Sequence, residues 1–242
     1  MGIPQHYSHM LPVRCSELVK TLYPLVKADQ RQADRHGGPL GTTLLLALAT
    51  PMIVLPAERI LQALDGNPGY SDETGIDPVL TKAVRSECDK RLKETSFFEG
   101  LGWTSVSGWA MFDLGKRLPP DLAEELRSAA AQNAAGNLEV RAFFSRLRNG
   151  LSHGGIMYLD SKGESSEAEA EMLAFVSGKR GTKQPLCRDG TSKCAYAGPP
   201  IESLNILRIS ESGFREFLMR WATWLENSGA ARGLSETVIA AE

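Results

Sequence analysis

Arg148, Asn149 and His153 lie within "RLRNGLSHGG", residues 146 to 155, and their side chains suit proton transfer and anion binding. An imidazole with an unperturbed pKa of about 6.5 exchanges protons near neutrality. A guanidinium presents a planar fork of N–H donors that matches the oxygens of a phosphate. The Asn149 amide, one turn before His153, could orient the imidazole or bond a phosphate oxygen. A histidine beside two glycines can also simply close a helix, so the elements that carry these residues decide between chemistry and capping.

The carrying element reads as a helix with Asn137 as N-cap and Glu139 near the positive end of its dipole. Val140, Phe143, Phe144, Leu147 and Leu151 give it an apolar stripe at i, i+3, i+4, i+7 and i+11. Ser145, Asn149 and His153 succeed one another on a different face, with Arg148 and Ser152 beside them, and Gly154 with Gly155 supplies the stop. On an ideal helix Arg148 and His153 stand about 140° apart around the axis. The two side chains therefore do not lie directly over one another.

Around it the chain reads as mainly helical. Leu18, Val19, Leu22, Leu25 and Val26 mark a first amphipathic helix bent at Pro24, and "LLLALATPMIVLPAERI" marks a buried helix interrupted at Pro51 and Pro56, with Glu58 and Arg59 at its solvated end. Asp77 and Pro78 start a helix that carries Leu80, Val84, Cys88 and Leu92 and ends near Glu94. "SFFEGLGWTSVSGWAMFDLGKRLPP" has no stable period and reads as a packed connector, with Trp103, Trp109 and Phe112 as core or lid residues. Asp121 with Glu124 forms a capping box for an alanine-rich helix.

Downstream, "IMYLD", "EMLAFVS" and "SLNILRIS" are short β-prone runs that suit a three-stranded meander. Phe214, Phe217, Leu218, Trp221, Trp224 and Leu225 form a closing amphipathic helix that stops at Gly229. The expectation is a single domain over residues 1–242, mainly α: a helical bundle over about 10–155 and 211–229, with a small β-meander over about 156–210 inserted before the last helix.

A formal charge of −2 argues against nucleic-acid binding through overall positive charge and leaves local patches as the alternative. Lys179, Arg180, Lys183, Arg188 and Lys193 cluster in one connection of the meander, as a solvated loop or as a guide for RNA. Cys187 and Cys194 have no second ligand pair to complete a tetrahedral zinc site, so no metal site is expected. Scattered cysteines, no signal-peptide pattern and no apolar run of spanning length point to a cytoplasmic protein with no membrane segment.

The arginine, the polar residue after it and the histidine resemble the Arg-x4-6-His motif of the HEPN superfamily. The buried helix, the segment "LRNGLSHGGIMYLD" and the aromatic closing helix resemble a bacterial subfamily over most of the chain. The resemblance implies a HEPN-like helical bundle and a metal-independent endoribonuclease that needs no cofactor. In such an enzyme the RNA 2′-hydroxyl attacks the adjacent phosphate, with Arg148, Asn149 and His153 as catalytic residues. It also implies a homodimer whose two motif-bearing helix ends line one cleft, and a toxin or phage-defence setting in which an antitoxin or other regulatory partner would fit. A non-catalytic module that binds nucleotide, RNA or a partner protein in the same cleft is the alternative. In members controlled by a nucleotidyltransferase a tyrosine stands two positions after the histidine; here that position is Gly155, and the nearest tyrosine is Tyr158.

Overall fold

The computed structural model describes residues 7–57, 82, 85–166, 169–181 and 200–230. Glu58, Arg59, Asp77, Pro78, Lys183, Cys187, Arg188, Lys193 and Cys194 lie outside the described residues.

Helix α1 spans Tyr7–Ala28 and continues through Pro12 and Pro24. Helix α2 (Gln30–His36) is capped by the Asp29 carboxylate and ends at Gly37, which takes the left-handed conformation. Helix α3 (Gly41–Ala49) runs into a π-helical turn at Thr50–Val54, where Pro51 supplies no N–H. Arg85 to Cys88 are helical, but the helix does not continue to Glu94 as expected: Arg91 bridges to Glu139, and Leu92–Glu94 is a 3-10 turn.

The mainly α expectation with a small β insertion is overturned by a four-stranded antiparallel sheet of order β1-β4-β3-β2. Its strands are β1 (Thr104–Trp109), β2 (Ile156–Leu159), β3 (Met172–Arg180) and β4 (Ile201–Ser210). Strand β1 comes from the stretch that reads as a connector and pairs with β4, extending the β2-β3-β4 meander. The physical reason is burial on both sides. Thr104, Ser105 and Val106 are all buried, so β1 lacks the polar-out alternation that marks a half-exposed strand.

A sheet buried on both faces is a central layer of a mixed α/β fold. On one face Trp103, Phe175, Leu207 and Ile209 join a core with helices α6 (Val140–Ser152) and α7 (Glu211–Leu225) and with Met52 and Ile53 of the π turn. Phe143 meets Trp103 edge-on at 4.9 Å, and Trp221 donates from its indole N–H to the Met52 carbonyl oxygen at 2.8 Å. On the opposite face Val106, Ala174, Val176 and Ile206 pack on α4 (Pro120–Arg127) and α5 (Ala129–Gly136).

The helix starts differ from expectation in two places. Helix α4 has Pro119 as N-cap with no side-chain bond, and Ser128 caps the alanine-rich α5, so the Asp121–Glu124 box does not form. Asn137 is the C-cap of α5, and α6 begins after Glu139 in extended conformation. Among the described residues no single helix is long and apolar enough to cross a membrane. Cys15 and Cys88 are buried.

Helix α6 sits on β3 through glycine. A Cβ on Gly150 would stand 3.0 Å from the Phe175 Cβ, and one on Gly155 would collide with the Val176 carbonyl oxygen. At Gly154, with φ of 68°, nothing lies within 4 Å of an added Cβ, so only backbone strain would penalise a side chain. Gly155→Ala should therefore cost on the order of 1–3 kcal/mol of stability, and Gly154→Ala about 1 kcal/mol. Urea denaturation checks the order; a larger loss at Gly154 would contradict the seating.

Candidate functional site

The end of α6 is built by its own backbone. His153 is the C-cap, with φ −106° and ψ 8°, and its N–H donates to the Asn149 carbonyl oxygen at 3.1 Å. Gly154 turns left-handed, and the Gly155 N–H donates to the Gly150 carbonyl oxygen at 2.9 Å, the six-to-one bond of a Schellman turn. The Gly155 carbonyl oxygen then accepts from the Val176 N–H of β3 at 2.6 Å. Two glycines and a strand thus fix the position at which the His153 side chain leaves the helix.

His153 is exposed, while Arg148 and Asn149 are half-buried. Among the described residues no hydrogen bond joins the Asn149 side chain to the imidazole, so a single chain does not make the orienting contact. Lys179 and Arg180 are exposed at the end of β3. Alternation puts Lys179 on the same sheet face as Phe175, which is the face α6 covers; Arg180 comes after a register shift. The remaining basic candidates, Lys183, Arg188 and Lys193, lie outside the described residues.

A residue absent from the sequence motif lies closer to the histidine in helical angle. Arg146 stands about 20° from His153 around an ideal helix, against about 140° for Arg148. Arg146 Nη1 donates to the Ser107 hydroxyl at 2.7 Å and to the Ser105 hydroxyl at 3.2 Å, both on β1. Burial lowers its pKa, and no carboxylate pairs with it among the described residues. The spacing Arg146, Asn149, His153 at i, i+3, i+7 is a signal present in the sequence. Its serine partners are not, because β1 carries no strand pattern of its own.

Among the described residues no group of three His, Cys, Asp or Glu side chains is arranged to hold a metal ion. A groove between α1 and α7, lined by Lys20, Met219, Arg220 and Trp224, contains none of the α6 residues. The end of α6 offers an accessible imidazole that can exchange protons and, further back along the helix, guanidinium groups that can bind a phosphate, Arg146 of them beside a hydroxyl-bearing strand.

His153→Ala should change folding stability by no more than about 0.5 kcal/mol, because the side chain is exposed. Arg146→Ala should lose about 1–2 kcal/mol, because it strands the buried Ser105 hydroxyl. Chemical denaturation of both variants checks this contrast, and a strongly destabilised His153→Ala protein would make the histidine a structural cap. Compared with known protein families, curated proteins and solved structures, the chain has no significant match, so the functional reading rests on this motif and its geometry.

Proposed function

We propose that the chain is a metal-independent endoribonuclease of the HEPN kind that works as a homodimer. The observation that carries this reading is the exposed His153, held at a glycine-fixed helix end in a segment that also bears Arg148. In the proposed reaction the RNA 2′-oxygen forms a bond to the adjacent phosphorus and the bond from phosphorus to the 5′-oxygen breaks. The 2′-hydroxyl proton passes to a base, and the leaving 5′-oxygen takes up a proton. Imidazole suits either transfer near neutral pH, and the Arg148 guanidinium suits the charge that builds on the phosphorane. Because Arg148 and His153 diverge around α6, a second motif from a partner copy would supply the groups one helix end cannot. A toxin or phage-defence role, with an antitoxin or regulatory partner and RNA as target, fits this activity.

One observation favours a second reading. The side chains of Asn149 and His153 are not bonded to one another, which suits a non-catalytic module that binds nucleotide, RNA or a partner protein at the same surface. Turnover separates the two. Purified protein should cleave RNA with metal chelated, leave a 2′,3′-cyclic phosphate and show twice the chain mass by light scattering. His153→Ala should lower turnover by roughly 10²-fold or more, and Arg148→Ala by a comparable factor. Equal cleavage of RNA methylated on the 2′-oxygen at the cut site would contradict the mechanism, and an active strict monomer would contradict the shared cleft.

A further inference from the structure

The sheet face under α6 changes character along its strands. Where α6 and α7 cover it, the face is Phe175, Leu207 and Ile209. One and two rows further on, the register pairs Ser107 with Asn205 and Lys179 with Ser203, all on the same face by alternation. Ser107 and Lys179 are exposed, and Asn205 and Ser203 are half-buried. The face is therefore apolar beneath the helices and polar where it extends past them. Glu202 stands in the register shift opposite Lys179 and Arg180, and its carboxylate reaches the space a Gly181 side chain would take, so it lies on the Lys179 side of this sheet end. Helix α6, which stands beside this floor, turns Arg146 onto it and carries no acidic residue.

We infer that the corner between the polar side of α6 and the uncovered end of the sheet binds the phosphodiester backbone of single-stranded RNA, with Arg146 as its anchor. The choice of RNA rests on the ribonuclease reading; the choice of a phosphodiester rests on the corner itself. Arg146 spends Nη1 on two serine hydroxyls, which are neutral acceptors and leave its charge uncompensated. Its Nε and Nη2 donors remain for an anion, and the Ser107 hydroxyl, while accepting from Arg146, can donate its own proton to a phosphate oxygen. The register shift between Ser107 and Trp109, with Gly108 at φ 77°, bends the end of β1 beside the guanidinium. Arg146 lies about 10 Å from His153 along the helix axis. It therefore holds a phosphate other than the one being cleaved, and its contribution is to binding rather than to the chemical step.

The decisive variant is Ser107→Asp, because it places a carboxylate against Arg146 on an exposed position. A purely structural Arg146 would gain a partner and lose nothing. A phosphate-binding Arg146 would be blocked while the fold stayed intact. Binding of a labelled mixed-sequence single-stranded RNA should be measured in a His153→Ala background, so that no cleavage intervenes. Ser107→Asp should weaken binding about tenfold or more and make the salt dependence shallower by about 0.7 in the log–log slope, the loss of one phosphate contact. Arg146→Gln should match it, and in cleaving protein both changes should raise KM while leaving kcat near its parent value. A folded Ser107→Asp protein with unchanged affinity and unchanged slope would overturn the corner. If the parent cleaves RNA while that variant binds normally, the corner fails and the ribonuclease reading stands. If the variant loses binding in a chain without turnover, the corner stands and the ribonuclease reading fails.

Discussion

The contact between the backbone of α6 and that of β3 is what the candidate site depends on. A helix normally stands off a sheet by the length of its side chains, but Gly150 and Gly155 remove that spacer, and the Val176 N–H bonds directly to the Gly155 carbonyl oxygen. This close approach brings Arg146 within reach of the β1 hydroxyls. It also gives a physical reason why position 155 is glycine, since any side chain there would strike the Val176 carbonyl. A tyrosine two residues after the histidine is thus incompatible with this seating.

Apolar packing then holds the contact in place. Phe143, Phe144 and Leu147 of α6 interlock with Trp103, Phe217 and Trp221, and the ring pairs meet edge-on or tilted as their quadrupoles favour. Charge is sorted between the two sides of the sheet. Arg146 sits at the solvent margin of the α6 face, whereas Arg208 is buried on the opposite face, where its Nη2 donates to the Leu126 carbonyl oxygen at the end of α4. Burial first, and the charge of Arg127 second, lower the pKa of Arg208. Of these two arginines, only Arg146 can meet a ligand on the surface that bears His153.

Much of this is legible in the sequence, and the failures share one cause. The stripe from Val140 to Leu151 and the Gly154 stop are local patterns, so they can be read without knowing the neighbours. The three strands of the meander carry enough Ile, Leu, Val and Phe to declare themselves. Strand β1, "TSVSGW", does not, because its small polar residues are buried by layers contributed from elsewhere in the chain. Without β1 the central sheet looks like an insertion, and Arg146 stays hidden because its serine partners lie about forty positions upstream. Asn137 departs from expectation for a simpler reason: it ends α5 rather than starting α6, and a short connection between two helices offers the same polar residue to both.

The central claim is that one surface, formed by the end of α6 and the adjoining end of the sheet, meets RNA. Hydrogen–deuterium exchange of the full chain with and without a 2′-O-methylated single-stranded RNA, which can bind and cannot be cleaved by 2′-oxygen attack, tests it most directly. Protection is predicted in residues 105–109, 149–155 and 177–180, with little change in α4 and α5 on the opposite face. Protection confined to α4 and α5, or to the groove between α1 and α7, would contradict the account.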